Sequence, residues 1–354
     1  PEDESSEGLF IAETIKTLAM REGLRYGDVG VLVRTNSLTR ALEEGFMTQN
    51  IPYRVSGGES FYQRKEVKDM LAYMRLCANH DDDISLLRVI NTPRRGIGRK
   101  TLQQISDFAN ERGTSLWTAM KALVHADDSP LQARAQADLA GFVELVETYR
   151  PRFFRKRGIA DALKDLSAEI DYWGYLVLEF GSDDKIARWK FRNIEYLTES
   201  IRSYEHHPDN LDPSLFGFLS RVTLDSRDDE DDEGSKGKVN LMTVHASKGL
   251  EFDIVFLAGV EDLLMPHARA VEENPRNVEE ERRLFYVAIT RAKEKLYMTS
   301  ARTRKVMREH IECSPSRFLE EIPADLIAIH EEKGPVTDDE AVDLLAQFRR
   351  NLGA

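Results

Sequence analysis

The sequence predicts an α/β fold: one parallel sheet covered by helices on both faces and interrupted by a mostly helical insertion. Two observations carry this. Short apolar, β-branched runs alternate with helical periods toward both ends of the chain, and from about Asn79 to Ser235 that alternation gives way to helix alone. Strands buried on both faces read as unbroken apolar runs, and the connections between parallel strands are helices.

In order, VGVLV (Val29 to Val33) reads as a buried strand, followed by a helix from Ser37, a plausible N-cap, to about Gln49. IPYRV (Ile51 to Val55) reads as a second strand, closed by a Gly57-Gly58 turn, and Val67, Met70, Leu71 and Met74 recur at helical spacing as far as Ala78. The helical stretch that follows holds all three tryptophans, Trp117, Trp173 and Trp189. An acidic Gly/Ser-containing segment, Asp228 to Gly237, reads as a return linker. Strand patterning resumes in VNLMTV (Val239 to Val244), DIVFLAGV (Asp253 to Val260) and KLYMTS (Lys295 to Ser300). The division expected is therefore 1–78 and 236–354 for the α/β domain and 79–235 for the insertion, an ordinary domain size.

Composition narrows the class. The 354 residues are 41% apolar, enough for two cores. Two cysteines, Cys77 and Cys313, argue against a disulfide framework and fit a reducing cytoplasm. The start is acidic where a leader peptide carries positive charge, and no apolar run approaches the ~20 residues of a membrane span. The net charge of −13 does not exclude a polyanion, because affinity follows local clusters. Acid is concentrated in the first seven residues, in DDEDDE (Asp228 to Glu233) and after His330; base is concentrated in PRRGIGRK (Pro93 to Lys100) and RPRFFRKR (Arg150 to Arg157).

Three motifs fall at predicted strand ends, where open α/β sheets place ligands. They are VLVRTNSLTRALEE with Arg34, GLEFD with Glu251, and AITRAKE with Arg291. A guanidinium offered by one domain to a γ-phosphate held by another stabilises the charge that builds during phosphoryl transfer. A carboxylate such as Glu251 suits the two ribose hydroxyls. Taken singly, Arg34, Glu251, His245 and Lys248 read as solvated surface residues more often than as functional ones. No G-x-x-x-x-G-K-[ST] phosphate loop occurs between Pro1 and Ala354.

Taken together and in this order, VHASKGLEFD (Val244 to Asp253), EERRLFYVAITRAKEKL (Glu280 to Leu296) and YRVSGGESFYQRKEVKDMLAY (Tyr53 to Tyr73) resemble motifs of the UvrD/PcrA/Rep-type DNA helicases, over about Asp28 to Pro323. The resemblance implies a RecA-like domain, the second of a motor, interrupted by its helical insertion. It implies catalytic γ-phosphate contacts for Arg34 and Arg291, a sugar contact for Glu251, and a single-strand path near Thr243, His245 and Lys248. It places Gly57, Gly58, Phe61, Arg64 and Glu66 in register with a further motif, and implies DNA contacts for the first four. It implies ATP and Mg²⁺ as cofactors of the intact enzyme, single-stranded and duplex DNA as partners, an upstream RecA-like half carrying the phosphate loop, 3′-to-5′ polarity and a bacterial cytoplasmic setting. Repair or replication proteins are the expected further partners, and no resident metal site is expected. Two departures stand out: Val33 where the family often has an aromatic, and Met307 where a base-contacting aromatic is expected.

In the insertion, TPRRGIGRKTLQQISDFA (Thr92 to Ala109) resembles a helix-hairpin-helix element. Gly96 and Gly98 would let backbone N–H groups approach a duplex phosphate, and Arg94, Arg95, Arg99 and Lys100 would neutralise phosphates without reading bases. An ordinary connection with surface arginines is the competing reading. In RPRFFRKR, Phe153 and Phe154 suit either nucleic acid or a core beside snorkelling arginines. His206-His207 lacks metal-ligand company. The chain alone is expected to lack ATPase. A non-enzymatic duplex-binding or docking module of a helicase-like accessory protein is the alternative class.

Overall fold

The computed structural model describes residues 1–126, 128–181, 184–208, 210–226, 237–273, 275–306 and 309–329. The acidic run Asp228 to Glu233, Met307 and the tail after Ile329 lie outside the described residues.

Five parallel strands form the sheet: β1 (Val29–Val33), β2 (Tyr53–Ser56), β3 (Val239–Thr243), β4 (Phe252–Ala258) and β5 (Ala292–Met298), in the order β2-β3-β1-β4-β5. In register, Val33 lies beside Thr243 on one side and Ala258 on the other, while Phe252 lies beside Ala292. Helices α1 (Glu4–Glu22) and α2 (Thr39–Thr48) cover one face, where Ile11, Ile15, Phe46, Val31 and Phe256 are fully buried. The other face is closed by a core that includes Phe285, Ala288 and Phe318.

Helix α1 is not among the elements expected from the sequence, and its acids hold it in place. Asp3 caps the helix, accepting from the Ser6 backbone N–H while the Ser6 hydroxyl accepts from the Asp3 N–H. Glu7 is buried, and it accepts from Arg304 at 2.5 Å, from the Thr299 hydroxyl at 2.6 Å and from the Gly259 N–H at 3.0 Å. Arg304 also donates to Glu261. The expected cap at Ser37 is not formed: α2 begins at Thr39 and Leu38 occupies the cap position without a side-chain bond.

Between β2 and β3 come α3 (Lys65–Ala78), α4 (Asp83–Val89), α5 (Arg99–Arg112), α6 (Leu116–His125), α7 (Ala133–Phe153), α8 (Ile159–Glu169), α9 (Tyr172–Phe180), α10 (Asp184–His206) and α11 (Leu215–Ser226). Packing places α3 with these helices: Val67, Met70, Tyr73, Met74 and Cys77 sit in one continuous core with Trp117, Phe142, Tyr149 and Leu197. The sequence boundary at 78/79 divides the chain where strand patterning ends, whereas the helical core already begins near Phe61. After β4 come α12 (Ala268–Glu273) and α13 (Pro275–Ile289), and beyond β5 a hairpin of β6 (Thr303–Val306) and β7 (Glu309–Glu312). No described helix is long and apolar enough to cross a membrane.

Candidate functional site

The sheet has two loaded edges. At the C-terminal edge, the turn after β2 meets the loop after β3. Gly57 holds φ at 75°, and a Cβ there would lie 2.5 Å from that of Ala246 and 4.0 Å from the Thr243 hydroxyl. Gly58 faces Asn36, whose side chain a Cβ would approach to 3.0 Å. Only glycine allows both the left-handed turn and this close approach. Thr243 accepts from the Ala246 N–H, Ser247 is fully buried and donates to the Val244 carbonyl, and His245 and Lys248 are exposed.

At the N-terminal edge, Glu251 and Arg291 precede β4 and β5 and are neighbours. The Phe252 N–H donates to the Arg291 carbonyl at 2.9 Å, and Arg291 Nη1 donates to the Leu250 carbonyl at 2.9 Å. Arg291 is anchored further by Nε to the Val287 carbonyl and Nη2 to the Thr290 hydroxyl. Glu251 is exposed.

Arg34, expected at a strand end like the other two, stands at the opposite edge from them. It follows β1, so it stands at the C-terminal edge, on the order of 20 Å of strand rise from the other two at about 3.3 Å per residue. There it donates to Glu281 of α13 through Nη2 at 2.6 Å and Nε at 2.9 Å. Burial pushes the Glu281 carboxyl up, but the bonds from Arg34 and the His267 N–H outweigh it and hold the group below the ordinary 4.5. The pair is a brace between β1 and α13.

Phe61 and Arg64 are corrected too. Phe61 is fully buried, and its N–H donates to the buried carboxylate of Glu43. Arg64 is 9% exposed, donates to the Asn193 Oδ1 at 2.9 Å, and lies between the rings of Phe61 and Trp189. Glu66 accepts from Asn193 and Lys190. These residues join the turn to α10 beneath the surface, while Gly57 and Gly58 are exposed.

In the helical body, the Gly-Ile-Gly turn lies between α4 and α5. Asn91 braces it, accepting from the N–H groups of Arg95 and Ile97 and donating to the Ile97 carbonyl. Gly96 has φ 79°, and Gly98 caps α5. Arg94, Gly96, Gly98, Arg99 and Lys100 are exposed. Arg95 is turned inward. It donates to the carbonyls of Val89, Ile90 and Pro93 and to the Tyr73 hydroxyl, so its charge is committed to holding the turn. In RPRFFRKR the core reading holds for Phe153, which is fully buried, while Arg150 donates to the Cys77 carbonyl and Arg152 pairs with Asp165. Among the described residues no group of three or more His, Cys, Asp or Glu is placed to hold a metal.

The shortest connection between the edges follows β3. Leaving β3 at Thr243 and crossing β1, residues 244–251 descend from the C-terminal edge to Glu251 at the N-terminal edge. The frame of the site is thus a parallel α/β sheet with two loaded edges and a short helix-free strap between them. The chain belongs to the UvrD-like helicase C-terminal domain family, whose family model matches residues 1–303. It is 39% identical over 313 residues, 88% of this chain and 41% of the relative, to the ATP-dependent DNA helicase PcrA of Staphylococcus epidermidis (strain RP62A). It is 38% identical over 330 residues to the ATP-dependent DNA helicase PcrA of Staphylococcus aureus (strain Mu50), covering 92% of this chain and 44% of the relative. The chain thus spans about four-tenths of the length of these relatives.

Proposed function

We propose that this chain is the C-terminal motor portion of an ATP-dependent DNA helicase with 3′-to-5′ polarity. The observation that carries the reading is the strap 244–251, with the strand-side residues Thr243 and His245 at its head and the nucleotide-side residue Glu251 at its tail. A state change at either edge reaches the other through eight residues of backbone and no intermediary helix.

In this reading Glu251 binds the ribose and Arg291 contacts the γ-phosphate, its other donors fixed on Val287, Thr290 and Leu250 so that the guanidinium arrives oriented. Arg34 carries no nucleotide role. Gly57, Gly58, Thr243, His245 and Lys248 line the single strand, and Arg94, Gly96, Gly98, Arg99 and Lys100 hold duplex phosphates. The residues present fit one sugar contact and one phosphate contact; the phosphate loop and the Mg²⁺ ligands belong to an upstream RecA-like half. ATP with Mg²⁺ held there would supply the free-energy drop, with the metal offsetting phosphate charge. Two free cysteines suit a cytoplasmic setting.

The test is to join this chain to the upstream half and measure strand separation on a 3′-tailed duplex. ATP-dependent unwinding by the joined protein, with no hydrolysis by this chain alone, is the expected outcome. DNA-stimulated hydrolysis by the isolated chain would refute the division of labour.

A further inference from the structure

We infer that Trp189 is a stacking platform for an unpaired base, a contact point for single-stranded nucleic acid on the helical body. The inference rests on the DNA-translocating reading above and extends it to a face that the motifs do not include.

Trp189 is a large aromatic on α10, yet 51% of it is exposed. One side of its ring is backed by the Arg64 guanidinium, 5.1 Å from the ring centre, and Arg64 in turn lies 5.5 Å from the ring centre of Phe61. The result is a layered stack of Phe61, Arg64 and Trp189 whose outermost member faces solvent. A buried, hydrogen-bonded arginine beneath an exposed indole fixes the ring without covering it, so little entropy remains to be lost when a base lies on it. Lys190 Nζ stands 5.9 Å from the Trp189 ring centre and pairs with Glu66.

Charge selects the occupant. Around Trp189 the sequence KIARWKFRNI (Lys185 to Ile194) carries four cationic residues, with Asp184 and Glu195 bracketing it. Ile186 and Arg192 are three residues to either side of Trp189 and share its helix face; Ile186 is 42% exposed. Aromatic and cationic side chains interleaved on one face suit a base and its phosphate. The position fits as well: Arg64 is six residues from Gly58, which puts the stack within about 20 Å of chain from the strand-side turn.

The test is binding of fluorescent oligodeoxythymidylate and of a blunt duplex to this chain, followed by anisotropy at several salt concentrations. Trp189→Ala is expected to weaken oligodeoxythymidylate binding about tenfold, the loss typical of one stacked base. The salt slope and duplex affinity should stay unchanged, because no phosphate contact is removed. Trp189→Phe should recover most of the affinity, which a merely misfolded variant would not. Equal single-strand binding by wild type and Trp189→Ala would overturn the inference and leave this face to a protein partner. Duplex binding without single-strand binding by the wild-type chain would also overturn it while sparing the duplex assignment. Failure to bind either nucleic acid would overturn both this inference and the DNA reading beneath it.

Discussion

Arg291 donates from Nη1 to the carbonyl of Leu250 at 2.9 Å, the residue directly before Glu251. The proposed phosphate-sensing arginine is therefore bonded to the end of the strap that begins at Thr243. On the proposed role, loss or gain of a γ-phosphate at Arg291 would change the competition for its donors, and the Leu250 carbonyl is where that competition would meet the strap.

In the joined enzyme, Arg291→Ala should lower ATP turnover about a thousandfold, the scale of a lost transition-state arginine. DNA affinity should change severalfold at most. Arg291→Lys should not restore turnover, because an ammonium cannot hold Leu250 and a phosphate with the same fixed fork. Steady-state hydrolysis beside equilibrium DNA binding checks this; parallel losses in both would count against the sensor role.

Arg34→Ala should behave otherwise. Its guanidinium braces Glu281, so the variant should lose about 2 kcal/mol of stability, as for a hydrogen bond to a charged group. Turnover per folded molecule should hold. The Glu281 carboxyl is held below its ordinary 4.5, so its stabilisation is present at neutral pH and disappears as pH falls through the lowered value. Urea midpoints of wild type and variant should therefore differ at pH 7 and converge in acid below about 4.5. A gap that persists undiminished in acid would mean that the ion pair is not its source.

Where periodicity and burial agreed, the sequence was readable: VGVLV is β1 residue for residue, and the helix ending at Ala78 ends there. The limits have physical causes. Helix α1 mixes Glu7 and Gly8 into its buried face, which blurs its apolar stripe, and the reason for that glutamate, Arg304, lies 297 residues away. Arg95 and Arg94 are neighbours of one type, and nothing local says that only Arg95 finds three carbonyls and a tyrosine hydroxyl. Arg34 and Arg291 both sit at strand ends; which end was settled by strand direction, available from Arg291 preceding β5 rather than following it. Trp189 gives no local sign of exposure, because a tryptophan in a helical stretch ordinarily belongs to a core, while the basic residues beside it are legible.

The inward turn of Arg95 separates it from its neighbours by experiment. Arg94→Ala, Arg99→Ala and Lys100→Ala should each weaken duplex binding at all sequences and each lower the salt slope by about one. Arg95→Ala should instead release the turn from Tyr73 and Val89 and lower the melting temperature, with the remaining affinity showing the wild-type salt slope. Anisotropy titrations across a salt series, paired with thermal melts, distinguish the two classes; a reduced slope for Arg95→Ala would restore it to the phosphate-contacting set.

The Glu7–Arg304–Glu261 cluster gives the largest expected effect on stability. Arg304 is 7% exposed and holds two buried carboxylates, with Glu261 also accepting from the Ala301 N–H at 2.6 Å. Glu7→Ala leaves Arg304 its second partner, so the loss should be about 3 kcal/mol, the lower end for breaking a buried pair. Arg304→Met leaves two buried carboxylates facing each other with no cation between them, and its loss should exceed that of Glu7→Ala. Because Glu7 lies on α1 and Arg304 on β6, both variants should loosen α1 from the sheet, exposing amides of residues 11–18 to hydrogen exchange sooner than those of β1. Uniform acceleration across β1 and α1 would show instead that the cluster governs global unfolding, with no separate role in docking the first helix.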